Sequence, residues 1–398
     1  MRRGGTRGSD KRVRGNRSLA VSLADKRVVT IGGGTGPFAL LSTLKHYPCA
    51  ITAIVTMADS GGSSRRLMDE FGQLPFGDLR QALVALAQRG ALWRDMFNFR
   101  YRSGEAPSLP VEEAADASKK LHLLPHRPTP TPQGGVGGHS LGNLILSALE
   151  EMNEGNLLWA LEDAQELLGT AGRVLPVTLE HATLCAELCT GEVICGESEI
   201  DRRGESTTLS LPPIQRIFLR ENVQACREAL HAIRRADVIV LGPGDLYTSV
   251  LPNLLVRGVP EAICASSAQK IYVCNLMTKH GETDGFRAPD FVRELHHYLG
   301  GRVDRVIVHD GSFPSYLLGL YQAEKQRPVV PDVDAVRELG VEGVVDDLLA
   351  IQGNHLVRHN APRLIEAIFA PPSYGTMARP SPMVEVNAMS PGGQSALG

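Results

Sequence analysis

Apolar positions follow a repeating rhythm along much of this chain. Short β-branched runs end in glycine-rich turns, and apolar residues at helical spacing follow them. Arg27-Val28-Val29-Thr30-Ile31 runs into Gly32-Gly33-Gly34-Thr35-Gly36 and then Phe38, Leu40, Leu41 and Leu44, which predicts strand, turn and helix. Ile51 to Met57 predicts a second strand, ending at Ala58-Asp59-Ser60-Gly61-Gly62. Two strands with a helix between them imply a parallel β-α-β unit. Leu79, Ala82, Leu83, Leu86 and Ala87 predict a helix with Asp78 as its N-cap and Gly90 past its end. Leu141, Leu144, Ile145, Ala148 and Leu149 mark another helical face.

From Val174 to Ile200 the period changes to alternation. Leu184, Ala186 and Leu188 precede Thr190-Gly191, and Val193 follows, as in a hairpin. A β excursion over about 174–211 is therefore expected between two α/β halves. The second half restarts the theme with a helix carrying Val223, Cys226, Leu230 and Ile233. The strands Val238–Leu241, Ile271–Cys274 and Val306–Val308 follow, each ending in a polar or glycine-rich turn. Continuous apolar strands belong to a sheet covered on both faces. The pattern predicts an α/β fold: a Rossmann-like, doubly wound, mostly parallel sheet with a small β-hairpin excursion. One domain is expected over 27–370, with a Pro/Gly-rich exposed loop at about 103–138, a basic disordered tail at 1–26 and a disordered tail at 371–398.

Composition narrows the class. At 398 residues, with 43% hydrophobic and 21% charged positions, the balance is that of a globular chain. No apolar run approaches the ~18 residues of a membrane span. The net charge is −3. Residues 1–25 hold seven Arg/Lys against Asp10 and Asp25, a net +5, so the remainder carries −8. This Gly/Arg-rich start lacks aromatics and reads as a solvated tail, so no nucleic-acid partner is expected. Seven cysteines, odd in number and without Cys-x-x-Cys, read as reduced core thiols. They point to a reducing, cytoplasmic compartment and away from a cysteine-bound metal.

The candidate chemistry lies at the strand ends, where ligands sit in open parallel sheets. Glycines at 32, 33, 34 and 36 admit either a phosphate against backbone amides at a helix N-terminus or simply close strand-helix packing. Gly34-x-Gly36-x-x-Ala39 with Asp59 also fits a dinucleotide fingerprint, while the lack of Gly-Lys-Ser/Thr disfavours a Walker-type triphosphatase. Asp59, Gly61, Gly62 and Ser63 form a polar turn that is either ligand-binding or an Asp-capped loop. Asp78 and Arg80 at a helix start suit an anion, and equally a capped surface helix. His139 and Asn143 place an imidazole and an amide four residues apart beside glycines. Gly242-Pro243-Gly244-Asp245 directly after a buried strand invites a ligand, and Asn275, Thr278 and Gly281-Glu282-Thr283 extend the same rim. No Ser/His/Asp arrangement or metal-ligand spacing emerges.

In order, these modules resemble the gluconeogenesis factor family (YvcK-type), which shares a superfamily with 2-phospho-L-lactate transferase (CofD-like). The resemblance covers about 27–370 and rests on Val29 to Gly36, Ile51 to Thr56, Gly61-Gly62-Ser63-Ser64, Gly77-Asp78-Leu79-Arg80 and Gly138 to Asn143. It continues through Gly196 to Ile200, Leu241 to Ser249, Leu251 to Leu255, Tyr272 to Thr278 and Gly281 to Gly285. It implies a cytoplasmic protein that binds UDP-sugars such as UDP-N-acetylglucosamine and is tied to cell shape, morphogenesis and envelope control. It also implies that Tyr321 and Arg358 are sugar-nucleotide-binding residues, an aromatic to stack on uracil and an arginine to grip diphosphate.

The resulting nucleotide-sugar site comprises Gly33, Gly34, Thr35, Gly36, Asp59, Gly61, Gly62, Ser63, Asp78, Arg80, His139, Asn143, Gly242, Gly244, Asn275, Thr278, Tyr321 and Arg358. Catalytic residues, protein partners and oligomeric state stay open, a homo-oligomer included. Where the family has Asp-Asp, this chain has Asp59-Ser60, and it departs again at Phe76 and Arg65. Binding requires no cofactor on this reading. The alternative is a Mg²⁺-dependent transferase of the phospholactate type, with Asp59 as the metal-holding residue. A nicotinamide-dependent oxidoreductase would leave the later motifs without a use.

Overall fold

The computed structural model describes residues 23–58, 73–101, 138–205, 210–353 and 355–371. Asp59, Gly61, Gly62 and Ser63, nearly all of the expected loop at 103–138, and most of both expected tails lie outside the described residues. Leu23, expected in the basic tail, is fully buried in the core, so the packed part of the chain starts ahead of residue 27.

The strands are β1 (Arg27–Gly32), β2 (Ala50–Val55), β3 (Gly172–Pro176), β4 (Leu184–Leu188), β5 (Val193–Cys195) and β6 (Ile214–Leu219). They continue with β7 (Val238–Leu241), β8 (Gln269–Val273), β9 (Arg305–His309), β10 (Glu342–Asp346), β11 (Leu349–Gln352) and β12 (Leu356–His359). Among the described residues, seven form one sheet in the order β10-β9-β8-β7-β1-β2-β3, parallel at every pairing. Its central strands are buried almost throughout, as the continuous apolar runs require of a sheet covered by helices on both faces. The doubly wound expectation holds.

Chain direction across the sheet reverses between β1 and β7. From β1 the sheet grows through β2 to β3, and the chain then returns to add β7 on β1's other side and builds outward to β10. Arg27 pins this junction at its lower end. Its backbone N–H and guanidinium all reach Asp237, at 2.8, 3.0 and 2.9 Å. Those hydrogen bonds hold the Asp237 carboxyl down at about 2.

Some local expectations are revised. Val174-Leu175-Pro176 is not part of the β excursion. Both aliphatic residues are buried, and the segment pairs with β2 as an edge strand, a place that tolerates proline. The excursion is instead the antiparallel sheet β5-β4-β6, with Gly191 at φ +84° in the predicted turn. Asp78 is not an N-cap: the helix Gly77–Leu86 has Phe76 at that position and Asp78 inside its first turn. Gly90 caps the next helix, Ala91–Asn98. The helix expected from Val223 begins at Arg227.

The cysteines are not all reduced. Cys185 and Cys195 face each other across β4 and β5 and are joined as a disulfide. Cys226 and Cys274 are buried free thiols, as expected. Among the described residues, no helix is long and apolar enough to cross a membrane.

Candidate functional site

Above the switch point, the turns after β1 and β7 are in close contact. A Cβ on Gly36 would lie 2.4 Å from the Pro243 carbonyl oxygen and 2.8 Å from Gly244 Cα. Glycine at 36 is therefore required by packing, and this approach also exposes the start of the helix Gly36–Leu44 to a cavity. Gly34 takes φ +66°, a left-handed conformation that favours glycine. After Asp245, the chain makes a single wide π turn, Leu246–Val250, and continues into the helix Leu251–Leu254. Such turns often occur at functional positions, and this one brings Ser249 to the cavity wall.

The cavity measures about 500 Å³, within the range of small-molecule sites. Of the expected residues, Gly34, Thr35, Gly36, Gly244, Asn275, Thr278, Tyr321 and Arg358 line it. The Asn275 amide donates to the Gly244 carbonyl at 3.0 Å, tying the end of β8 to the β7 turn. Thr278 is anchored to Arg327: its N–H donates to the Arg327 carbonyl at 2.7 Å and its hydroxyl accepts from the Arg327 N–H at 3.0 Å. Tyr321, on the helix Ser315–Ala323, accepts the Val357 N–H at 2.9 Å and so holds β12 beside the cavity.

Other expected residues lie elsewhere. Gly33 and Asp78 border a much smaller recess, where a Cβ on Gly33 would meet the Thr56 methyl at 2.3 Å and the Asp78 carboxylate at 2.5 Å. Gly242 sits behind the rim, with φ +82° and a cis bond to Pro243. Arg80, His139 and Asn143 are buried and are not among the residues lining the cavity. The Arg80 guanidinium donates to Asn143 Oδ1 at 3.0 Å and Asn98 Oδ1 at 2.8 Å, joining three helices. Asn143 also donates its backbone N–H to the Ser140 cap at 3.1 Å.

Several residues of the wall were not singled out from sequence. Lys279 lies 2.9 Å from Asp245, 3.0 Å from Glu282 and in direct contact with Asp201. Burial opposes its charge, but Glu282, Asp245 and Asp201 outweigh that and hold it protonated. His359 points Nε2 at the Cys274 carbonyl, 3.1 Å away, and burial pushes its imidazole down to about 4, leaving it neutral at pH 7. The two lining cations differ accordingly. Lys279 is shared among carboxylates, whereas Arg358 forms no ion pair among the described residues and has only a local bond to the Val357 carbonyl. Glu197 was visible in the motif Gly196 to Ile200. The Lys279–Asp201 pair spans 78 residues and left no local signal. Among the described residues, no group of three or more His, Cys, Asp or Glu forms a candidate metal cluster.

The chain and its fold have relatives. A family model described as 2-phospho-L-lactate transferase CofD matches residues 28–349. The chain is 39% identical to a gluconeogenesis factor of Halalkalibacterium halodurans over 348 residues, covering 87% of this chain and 96% of that protein. It is 36% identical to the Bacillus subtilis gluconeogenesis factor over 336 residues, covering 84% and 94% respectively. A crystal structure of a Bacillus halodurans protein superposes with a TM-score of 0.75 at 39% identity, covering 86% of this chain and 99% of that one.

Proposed function

The chain belongs to the 2-phospho-L-lactate transferase CofD family, among its gluconeogenesis factors, and from that premise we propose that it binds a UDP-sugar of the UDP-N-acetylglucosamine type in the switch-point cavity. It acts there as a cytoplasmic regulator of cell shape and envelope metabolism. The observation that carries this reading is the convergence of Tyr321 and Arg358, from separate elements, on a cavity floored by Gly34, Thr35, Gly36 and Gly244. The first amides of a helix have no intrahelical partner and carry the positive end of its dipole. Together with a guanidinium that has no carboxylate partner among the described residues, they suit a diphosphate. The aromatic ring of Tyr321 supplies an apolar surface for a base.

The test is calorimetric titration of the full, nucleotide-stripped chain with UDP-N-acetylglucosamine. Saturable micromolar binding is expected, weakened at least about tenfold in Arg358→Ala, in keeping with loss of a charged anchor. A folded chain that takes up no UDP-sugar overturns the proposal. The family model favours a second reading, Mg²⁺-dependent phospho-group transfer. It predicts turnover of a nucleotide-phospholactate donor that stops when Mg²⁺ is chelated.

A further inference from the structure

Charge is unevenly distributed over the cavity wall. Asp245 follows Gly244 directly, on the turn that joins the glycine floor, and Asp201 comes from the helix Glu197–Arg202 on the small antiparallel sheet. Lys279 bridges them and also contacts the almost fully buried Glu282. One ammonium therefore serves three carboxyl groups. Burial pushes the Glu282 carboxyl up, with Lys279 pulling it back only in part. Asp201 and Asp245 still outnumber their single cation. Among the described residues, no other Lys, Arg or His lies within ion-pair distance of either. Arg203, next along from that helix, donates instead to the Gly281 and Pro212 carbonyls, at 2.6 and 2.8 Å.

Such a wall accepts hydroxyl hydrogens and repels a second anion, because like charges brought together are unfavourable. It contrasts with the wall that carries Arg358. Asp245 directly follows Gly244 of the glycine floor, so its carboxylate is a neighbour of any group that lies on that floor.

We propose that the Asp245–Lys279–Asp201 bridge selects the sugar of the bound nucleotide, admitting neutral hexoses and N-acetylhexosamines and rejecting hexuronic acids. This rests on the UDP-sugar reading above. The carboxylates receive the hydroxyl hydrogens of a neutral ring, and Lys279, whose three N–H groups face Asp201, Asp245 and Glu282, keeps the two carboxylates at a fixed separation.

The experiment compares UDP-glucose with UDP-glucuronate on the full chain by titration calorimetry, since the two differ only at C6. The acidic sugar is expected to bind on the order of tenfold more weakly at low salt, with the gap narrowing as salt screens the charges. In Asp245→Asn and Asp201→Asn the ratio falls toward unity, the asparagines keeping the shape while removing the charge. Thermal melting of each variant verifies folding, and the salt series on the unmodified chain tests the charge effect without any substitution. Equal affinity for the two ligands overturns this inference and leaves the UDP-sugar reading intact. A gap that persists in both asparagine variants also overturns it. Absence of binding by either ligand to the folded chain overturns the UDP-sugar reading itself, and the inference with it.

Discussion

The Tyr321 hydroxyl accepts the Val357 N–H at 2.9 Å, one residue before Arg358, so the helix that carries the aromatic ring also fixes the strand that carries the guanidinium. The two residues are thus mechanically coupled. Tyr321→Phe keeps the ring and removes one hydrogen bond, about 1 kcal/mol or roughly fivefold in affinity. We expect that loss to appear as weaker UDP-N-acetylglucosamine binding. In Arg358→Ala the further loss on adding Tyr321→Phe should be smaller, because the phenol then has no guanidinium to position. Strictly additive losses in calorimetry would show that the two act independently.

Gly36 gives a sharper test of the junction between the turns. A methyl at this position meets the Pro243 carbonyl oxygen at 2.4 Å, and backbone cannot yield as a side-chain tip does. Gly36→Ala should destabilise the chain by roughly 1–3 kcal/mol, the usual cost of overpacking, and reduce ligand binding further by parting the two turns. Gly90→Ala is the control, since its Cβ would have nothing within 4 Å. Equal melting temperatures for the two variants would disprove the packing account.

Arg305 anchors the far side of the sheet. It is fully buried, and its guanidinium reaches Glu342 at 3.0 and 2.9 Å and the Ile368 and Ala370 carbonyls at 3.1 and 2.8 Å. It therefore binds β9, the edge strand β10 and the end of the helix Ala361–Ile368 together. Arg305→Leu strands Glu342 without its guanidinium and should lower stability by about 3–5 kcal/mol. Adding Glu342→Leu should restore part of that. Urea unfolding midpoints of the single and double variants decide it, and a double variant no better than the single one would refute the pairing.

How far the sequence was legible follows from what each element buries. The strands β1, β2, β7, β8 and β9 show as continuous apolar runs because helices cover both faces. β10 reads Glu-Gly-Val-Val-Asp and is mostly half-buried at the edge, so its period carries no such signal. β3 reads from sequence as part of the hairpin excursion because two buried residues before a proline do not distinguish a sheet edge from a hairpin. The glycine floor was visible because Gly34 and Gly36 are needed for backbone conformation and close approach. Arg80 does not line the cavity, and a guanidinium near a helix start looks the same from sequence whether it meets an anion or Asn143. Lys279 and Asp201 were missed because only tertiary folding brings them together.

Acid sensitivity should come in part from two histidines that the fold keeps neutral. Burial, aided by Arg302, lowers His296 to about 4, and its Nε2 accepts the Val303 N–H at 3.2 Å. His359 is likewise lowered to about 4, chiefly by burial. Unfolded histidine titrates near ~6.5. Between that value and about 4 the unfolded chain takes up protons that the native state refuses. Their contribution is present in full above the upper limit and declines as the pH falls through this window. At pH 5 each is worth roughly 1 kcal/mol after allowance for partial exposure. Glu282 acts in the opposite sense, because its raised carboxyl favours the folded state at low pH, so the slope of the unmodified chain alone is ambiguous. The discriminating quantity is the difference between the chain and His296→Gln, which retains an acceptor for Val303 but cannot be protonated. The gap in urea midpoint between pH 7.5 and pH 5 should be smaller in His296→Gln by about that amount, and identical gaps would exclude His296 as a source of acid lability.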